Sequence, residues 1–304
     1  MSKVAILGRV FVDLLYTQVE RIPNAGEEVY SKGFDIQLGG GPIAYAALLN
    51  GLGIDVNFGT FFSGGIRSSI AKKILSEMNF SSWENLYKEP LRTDVDPVMI
   101  TSVISLEHDR SFISYGDAIS DTLTSEELFK FFKGCEYAFS LPWDLQAMCH
   151  LKKEGTKFIH TTYWHDEMDI SREIEVLSHS EIFALNDKEA LQLTKCRTVE
   201  EAIEELSRYV KVVIVTLGNE GALVRHNQIS KKILQKNTFN AVDTTGAGDN
   251  FIAGVMYGLC QGWNIDKCVQ FGNISGGYST TAVGCVKASL TLEKALELMK
   301  VYQK

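Results

Sequence analysis

Short apolar runs alternate along the chain with longer segments whose apolar residues recur at helical spacing. In the first half, strands are predicted at residues 3–8 and 56–61, and helices at residues 42–53 and 68–78. Strands that alternate with helices favour an α/β fold, with a central, mainly parallel sheet that carries helices on both faces.

The second half of the chain shows the same alternation more regularly. Strands are predicted at residues 136–141, 157–160, 181–185, 211–217, 222–225 and 228–233. Helices are predicted at residues 144–154, from residue 186 onward, and at residues 245–260, 265–281 and 292–302. Two sequences that fit capping boxes, Thr124 with Glu127 and Thr198 with Glu201, predict further helix starts.

Two regions break this alternation, near residues 15–38 and 91–116. Apolar β-rich runs at residues 98–106 and 111–115 surround Glu107-His108-Asp109-Arg110, which is typical of a hairpin. We expect these regions to form a small β lid whose closure excludes water from a site. No linker or repeat divides residues 1–304, which predicts a single domain. Exposed strands of the lid could also pair between two copies of the chain, as a homodimer.

The composition limits the partners and the location of the protein. The 304 residues include 38 Asp and Glu against 30 Lys and Arg, a net charge of −8, so neither nucleic acid nor an anionic membrane is a predicted partner. The six cysteines show no CxxC or zinc-ligand spacing. No segment approaches the about 20 apolar residues of a membrane span, and the first apolar run is too short for a signal peptide. These features predict a cytoplasmic protein with reduced thiols.

The segment Asp243-Thr244-Thr245-Gly246-Ala247-Gly248-Asp249 carries the most specific chemical signal. Its small residues precede a helix, so the backbone N–H groups of Gly246, Ala247 and Gly248 can approach a phosphate at a helix N-terminus. Asp249 in the first turn is suited to take a proton from a substrate hydroxyl. The amides would stabilise the charge of a transferred phosphoryl group. An isolated Gly-x-Gly turn would carry no such implication.

The full run closely resembles the second signature of the PfkB (ribokinase-like) carbohydrate kinase family, D-T-x-G-A-G-D-x-F. Other features along the whole chain follow in the order of that family. The resemblance implies a ribokinase-like α/β fold, a central, mainly parallel sheet flanked by helices, with a small β lid. It also implies a kinase that uses ATP and Mg²⁺ and phosphorylates a small sugar or sugar-like acceptor.

Substrate contacts are implied for three parts of the first half. Asp13 matches a residue that accepts hydrogen bonds from two sugar hydroxyls, although a turn or cap role would also explain it. Residues 23–27 resemble the segment that leads into the lid. Gly39-Gly40-Gly41-Pro42 resembles the Gly-Gly turn before a substrate-lining helix, where Pro42 also suits a helix start. Ala44 stands where the family usually has an Asn that contacts sugar.

Nucleotide contacts are implied for three parts of the second half. Asn186 and Glu189 resemble an Asn-x-x-Glu motif that positions phosphates and Mg²⁺, with Glu189 acting through water, and they also fit a capping box. Thr216-Leu217-Gly218-Asn219-Glu220-Gly221 resembles a turn that lines the nucleotide after a buried strand. Asn273 matches a contact with adenine or ribose, with a solvent-exposed helical Asn as the alternative.

A K⁺ site beside the anion-binding loop is also implied by the resemblance, because many family members bind this ion there. The matching positions, most of which would act through backbone carbonyls, are Asp243, Thr245, Ser279, Ala282, Gly284 and Ala288.

The departures from the family pattern all concern the acceptor. Besides Ala44, residues 62–67 lack an expected Asp, and residues 160–165 replace a cluster of Asp, Asn and Arg. Arg67 and Arg110 could reach an acidic or phosphorylated substrate, with Arg110 acting from the lid. Charged side chains are usually exposed, however, which favours two solvated surface arginines.

Three large aromatic residues near the same region could stack on a sugar or a base: Trp143, Tyr163 and Trp164. Packing in the core or at the rim of a site is the favoured alternative for such side chains. His160 and His165 lack metal-ligand spacing and receive no role.

We interpret the chain as an ATP-dependent sugar kinase with an unusual acceptor. A nucleoside kinase of the same fold is one alternative, because residues that contact sugar are missing. A non-catalytic regulator that binds sugar or nucleotide is another, although the intact Asp249 and glycine loop argue against it. A Rossmann oxidoreductase is not supported, because no G-x-G-x-x-G motif follows the first strand.

Overall fold

The structure is a computed structural model that describes residues 3–78, 80, 82–106, 110–119, 123–140, 144–288 and 290–303. Its strands are β1 Lys3–Leu7, β2 Phe11–Thr17, β3 Gly33–Gly39, β4 Asp55–Thr60, β5 Trp83–Asn85, β6 Met99–Ser105, β7 Arg110–Tyr115, β8 Tyr137–Ser140, β9 Lys157–Thr161, β10 Ile182–Asn186, β11 Val212–Thr216, β12 Ala222–His226 and β13 Ile229–Ile233. Its α-helices are α1 Gly41–Gly51, α2 Ile66–Glu77, α3 Ser125–Phe132, α4 Leu145–Lys153, α5 Ile174–His179, α6 Asp187–Thr194, α7 Val199–Leu206, α8 Ala247–Cys260, α9 Ile265–Ser279 and α10 Leu292–Met299.

The larger sheet has the strand order β13-β12-β11-β10-β9-β8-β1-β4-β5. Its strands from β11 to β5 are parallel, and only the edge pairs β11–β12 and β12–β13 are antiparallel. The predicted mainly parallel sheet is therefore confirmed. After β1 the chain turns towards β4 and later returns to β8, so a topological switch point lies beside β1. Ligands of open α/β sheets bind at the carboxyl ends of strands at such a point.

Helices cover both faces of the larger sheet. Because alternate side chains of a strand point to opposite faces, one strand contributes to two separate cores. Val4 and Ile6 of β1 belong to a core shared with α1, α8 and α9. Ala5 and Leu7 of the same strand belong to a second core shared with α3 and α4. Across the described residues, no helix combines the length and apolar character needed to cross a membrane.

A second sheet of four strands has the order β3-β2-β6-β7. Strand β2 is antiparallel to β3 and parallel to β6, and β7 is antiparallel to β6. A small sheet is thus present near the predicted residues 15–38 and 91–116, although β2 begins earlier, at Phe11; we call it the lid sheet, and its closure over a site stays a prediction. The predicted hairpin turn at residues 107–109 lies outside the described residues. Edge strand β7 exposes Phe112, Ile113 and Tyr115, and pairing of lid strands between two copies stays a prediction.

The caps show where local sequence patterns set helix starts. The predicted capping box of Thr124 and Glu127 is present in full. At α7 only half of the predicted box forms, because the Thr198 hydroxyl accepts the Glu201 N–H at 3.2 Å, whereas the Glu201 carboxylate accepts the N–H of Arg197. Helix α8 begins at residue 247 rather than at the predicted residue 245.

Candidate active site

The loop before α8 is shaped by Gly246, which caps the helix with a left-handed φ of 72°. A Cβ on this residue would overlap the side chain of Cys285, and other residues rarely adopt such a φ. The Asn250 amide donates to the carbonyls of Gly246 at 3.0 Å and Cys285 at 2.9 Å, which anchors the loop. The left-handed cap explains why the helix starts later than the apolar pattern predicts.

A cavity of about 210 Å³, here called the transfer cavity, lies against the first turn of α8. Residues that line it are Tyr45, Thr161, Thr162, Ala184, Leu185, Asn186, Glu189, Thr216, Thr244, Gly246, Ala247, Gly248, Asp249 and Ile252. The fold thus brings the predicted Asn-x-x-Glu motif and the predicted anion-binding loop to one small space. The Ala247 N–H donates to the Thr244 carbonyl at 3.2 Å, so its contact with a phosphate stays a prediction.

Asp249 is half-buried, and it lines two cavities. Its Oδ1 accepts a hydrogen bond of 2.7 Å from the hydroxyl of Tyr45. Burial raises the pKa of Asp249, because an ionised carboxylate loses hydration, while the Tyr45 bond lowers the pKa. The pKa of the Tyr45 phenol is held well above 10 by burial and by the Asp249 charge, so the phenol is a neutral donor.

Glu189 brings a second carboxylate to the transfer cavity. Its Oε2 accepts the N–H of Asn186 at 2.9 Å, and Asn186 Oδ1 accepts the Glu189 N–H at 2.9 Å. The predicted capping box is therefore present. Burial raises the pKa of Glu189, and the negative charge of Asp249 adds to the effect. When Asp249 and Glu189 are both ionised, their carboxylates repel each other, and a cation bound in the transfer cavity would relieve this repulsion.

The oxygen atoms of Asn186 and Glu189 are of the kind that Mg²⁺ prefers. No cluster of three or more His, Cys, Asp or Glu side chains that could hold a metal occurs in the part of the chain that the structure describes. A metal at this place would thus depend on water and phosphate oxygens for most of its ligands, which Mg²⁺ accepts readily. The residues present fit the water-mediated Mg²⁺ site implied for Glu189.

The predicted nucleotide turn follows β11. Thr216 lines the transfer cavity, and Gly218 and Asn219 lie in a single 3-10 turn closed by a bond from the Leu217 N–H to the Gly221 carbonyl at 2.8 Å. Gly218, Asn219 and Gly221 line neither cavity, so their contact with a nucleotide stays a prediction.

Asn273 lies in α9 and is buried, so the alternative of a solvent-exposed helical Asn is wrong. Its side-chain amide donates to the carbonyls of Ile233 at 3.1 Å and Leu234 at 3.3 Å, which ties α9 to the end of β13. This structural role does not test the predicted contact with adenine or ribose.

A larger cavity of about 850 Å³, here called the acceptor cavity, adjoins the first. Residues that line it are Leu7, Gly8, Arg9, Phe11, Gly40, Gly41, Pro42, Tyr45, Phe61, Met99, Ile119, Leu123, Leu128, Phe139, Asp144, Thr161, Thr162, Tyr163 and Asp249. Most of these side chains are apolar. Both cavities are lined by Asp249, Tyr45, Thr161 and Thr162, which places the predicted general base at their junction.

The predicted substrate residues divide between this cavity and its surroundings. Gly40 and Gly41 line the acceptor cavity, whereas Asp13, Gly39 and Ala44 do not. Asp13 is buried, and its side chain packs so closely on Gly39 that a Cβ there would overlap the carboxylate. Burial, with a smaller contribution from the negative charge of Asp243, raises the pKa of Asp13 to about 6. Ala44 lies in α1, and its side chain is fully buried in the core on which that helix packs.

The expectation that Arg67 and Arg110 are solvated surface arginines is wrong. Arg67 has a side chain that is 16% exposed and forms an ion pair of 2.5 Å with Asp117. Arg110 has a side chain that is 24% exposed, and it forms an ion pair of 2.9 Å with Asp243. Arg110 thereby links the lid sheet to the loop before α8. Neither arginine lines the acceptor cavity, and contact with a substrate stays a prediction.

The Asp243 carboxylate already has donors on both oxygens. Oδ1 accepts from Arg110, from the Thr245 N–H at 2.9 Å and from the Thr245 hydroxyl at 2.7 Å, and Oδ2 accepts from the Gly284 N–H at 2.8 Å. The Ser279 hydroxyl donates to the Gly276 carbonyl at 2.7 Å. Because Arg110 balances its charge, the Asp243 side chain does not fit the role of an added K⁺ ligand. Backbone ligation at the remaining predicted positions, Ala282 and Ala288 among them, stays a prediction.

Several site residues were missed by sequence reasoning. Thr161 and Thr162 lie where parallel strand β9 ends, a position that often contacts ligands, so the strand pattern could have indicated them. Arg9 follows β1 in the same way; its guanidinium donates to the carbonyls of Pro97 at 2.6 Å and Asp117 at 3.0 Å. No motif indicated Tyr45. Its contact with Asp249 forms because α1 packs beside the start of α8, which the sequence does not show.

The expectation of core or rim packing for the aromatic residues is confirmed only in part. Tyr163 is 64% exposed and lines the acceptor cavity, and Trp164 is 52% exposed, so neither is a core residue. Trp143 lies outside the described residues. His160 is buried, stacks on Phe183 and bonds Glu173 at 3.0 Å.

Comparison with known proteins decides the family. Residues 96–292 match the family profile described as pfkB family carbohydrate kinase. The chain belongs to this family. A ribokinase of Bacillus subtilis (strain 168) is 26% identical over 313 residues, which cover 98% of this chain and 100% of that protein. The resemblance read from the loop before α8 is thus confirmed.

Solved structures confirm the ribokinase-like fold. Arabidopsis thaliana ribokinase, complexed with ribose and ATP, has a TM-score of 0.78 at 20% identity and covers 98% of this chain and 99% of its own. The nucleoside kinase of Burkholderia thailandensis, in complex with inosine, has a TM-score of 0.75 at 18% identity and covers 100% of this chain and 99% of its own. The same fold thus binds ribose and ATP in one neighbour and inosine in the other.

Proposed function

We propose that this pfkB family member transfers the γ-phosphoryl group of ATP to a hydroxyl of a small carbohydrate. The observation that carries the proposal is the position of Asp249 at the junction of the transfer cavity and the acceptor cavity. Direct transfer requires a base between the site of the phosphates and the site of the acceptor. A carboxylate with a pKa raised by burial is a stronger base than an exposed one.

In the proposed reaction, Asp249 takes the proton of the acceptor hydroxyl as that oxygen attacks the γ-phosphorus. The new P–O bond forms while the bond to the ADP oxygen breaks, and the proton remains on Asp249 until release. Backbone N–H groups of Gly246 and Gly248 and the positive end of α8 stabilise the charge on the transferred group.

Asn186 and Glu189 would hold Mg²⁺ through water at the edge of the transfer cavity. When bound, Mg²⁺ neutralises phosphate charge and aligns the phosphates. The capping box fixes the orientation of the Glu189 side chain, because one carboxylate oxygen accepts the Asn186 N–H. That arrangement leaves Oε1 for the hydrated ion.

The acceptor cavity favours a nucleoside as the second candidate acceptor. Its volume of about 850 Å³ lies in the upper part of the range of ligand pockets, well above what one free sugar fills. Four aromatic side chains line the cavity and could pack on the nucleobase of a nucleoside: Phe11, Phe61, Phe139 and Tyr163. A free sugar would reach polar side chains such as Asp249 and Thr161 but would leave some of its hydroxyls against the apolar walls, which is unfavourable.

A panel of acceptors tests the proposal. Free sugars, sugar acids, sugar phosphates and nucleosides are incubated with ATP and Mg²⁺, and ADP release is measured against the Asp249→Asn variant as a blank. We expect at least one class to raise ADP release clearly above the blank. Binding of ATP without acceptor-dependent ADP release for every class would overturn the proposal in favour of a binding regulator.

A further inference from the structure

Tyr45 is the side chain through which α1 contacts the general base. It is 3% exposed, its ring packs on Phe139 with centroids 3.9 Å apart, and its hydroxyl donates to Asp249 Oδ1 at 2.7 Å. Thr161 at the end of β9 interacts with the same phenol. The hydroxyl is therefore held from two sides at the junction of the two cavities.

Gly41 leaves room for this contact. A Cβ on Gly41 would lie 2.8 Å from Asp249 Oδ1 and 2.9 Å from the Tyr45 hydroxyl. Any larger residue would have to displace one of the two partners. The first turn of α1 is thus shaped so that a phenol and a carboxylate can meet.

We propose that Tyr45 is a positioning residue for the general base. Its hydroxyl holds Asp249 Oδ1 in one orientation and leaves Oδ2 to take the proton of the acceptor. It also stabilises the ionised carboxylate in an enclosed site, because a hydrogen bond to the charged form favours that form. The mechanistic part of this inference rests on the proposed phosphoryl transfer, whereas the hydrogen bond can be tested without it.

The groups that face Asp249 act in opposite directions. Glu189 of α6 adds negative charge, and Cys285 on the segment after α9 is a neutral thiol with a pKa raised well above its ordinary value by burial. Arg9 and Asp144, which carry opposite charges, line the same acceptor cavity as Asp249. Tyr45 is the partner that favours ionisation of Asp249. Loss of its hydroxyl therefore raises the pKa of the base, and the acid limb of turnover moves to higher pH.

The decisive variant is Tyr45→Phe, which keeps the ring and removes the donor. We expect turnover near neutral pH to fall about tenfold, partial recovery at alkaline pH, and an unchanged KM for ATP. The control is Tyr137→Phe, which removes another phenol hydroxyl, one that donates to the Leu259 carbonyl at 3.4 Å and lines neither cavity. A pH profile parallel to that of the wild type, with only the acceptor KM raised, would identify Tyr45 as a plain acceptor contact and overturn the proposal.

A second measurement separates this inference from the proposed function. In protein labelled with ¹³C at Asp carboxyls, NMR titration follows the Asp249 carboxyl directly, with Asp249→Asn to assign its signal. We expect its pKa to rise in Tyr45→Phe and also in Gly41→Ala, which crowds the contact from the other side. An unchanged pKa in both variants overturns the inference. A raised pKa in a protein that phosphorylates nothing would leave the contact intact and refute only the proposed function.

Discussion

The transfer cavity and the acceptor cavity meet at Asp249, yet they are built differently. The transfer cavity, of about 210 Å³, is formed by helix starts and strand ends that carry short sequence motifs. The acceptor cavity, of about 850 Å³, is lined mostly by apolar side chains from both sheets, α1 and α3, together with Asp249 of α8. Phosphoryl transfer needs backbone amides and carboxylates in one fixed arrangement, whereas the acceptor is chosen by shape. Changes on the two sides should therefore have different kinetic signatures.

The largest effect is expected for Asp249→Asn. Loss of the base should lower turnover by at least ~10²-fold for every acceptor, while ATP affinity stays close to that of the wild type. Initial rates of ADP release and calorimetric ATP titration would measure the two quantities. The control is Asp266→Asn on α9, which removes a carboxylate from a surface ion pair with Lys231 of β13. Near-normal turnover in Asp249→Asn would remove the base from the mechanism.

A smaller effect on the same side is expected for Glu189→Gln. Residues that orient a metal through a second layer of contacts typically contribute about 10- to 100-fold in affinity or activity, so kcat/KM for MgATP should fall by that range. The acceptor preference should not change. Glu201→Gln is a matched control, because Glu201 occupies the equivalent cap position of α7 and lines neither cavity. Equal losses in the two variants would indicate a cap effect alone.

On the acceptor side, Phe11→Ala should change which molecule is phosphorylated. Removing a large ring from the cavity wall should raise the acceptor KM by about tenfold and alter the ranking of small and large acceptors, with little change in the KM for ATP. Phe34→Ala is the control, since Phe34 lies in the neighbouring strand β3 but is 55% exposed. A uniform fall in kcat for all acceptors would contradict the division between the two cavities.

The last prediction concerns stability, and it applies to Asp13 whether or not this residue makes its predicted contact with the acceptor. Its pKa of about 6 lies above the ordinary 3.8, so ionisation opposes folding, and the wild type loses stability as the pH rises from 3.8 to about 6 and no further above that. Asp13→Asn lacks this loss. It should therefore be more stable than the wild type by up to roughly 3 kcal/mol at pH 8, with a much smaller difference at pH 4. Urea denaturation at both pH values tests this, and an equal difference at both would contradict it.

Much of the fold was predictable because its signals are local. The apolar runs of parallel strands such as β11, buried on both faces, identify them without any knowledge of their neighbours. Asn186 and Glu189 predict their own helix start, because the two residues bond each other's backbone. The predicted start of α8 was wrong because Gly246, in a left-handed conformation, precedes the first helical residue. Apolar spacing does not reveal such a cap.

The lid sheet shows the limit of such reasoning. Strands β6 and β7 were predicted as separate segments and β3 only as part of a β-rich region, while the parallel pairing of β2 with β6 joins residues far apart in the chain. The ion pair of Arg110 with Asp243 spans 133 positions, and it turned an expected surface arginine into a link between lid and loop. No local pattern encodes either contact.

The sequence by itself determined the family of this protein and the motifs on which its proposed chemistry rests. The run Asp243–Asp249 and the Asn186/Glu189 pair are short motifs whose backbone geometry follows from their own residues. Only the tertiary structure decided which side chains contact Asp249 and which side chains line the acceptor cavity. The bond from Tyr45 to Asp249 spans 204 positions, and the acceptor cavity is assembled from side chains of many elements. Such contacts depend on how helices and sheets pack, which is a property of the whole fold and of no single segment.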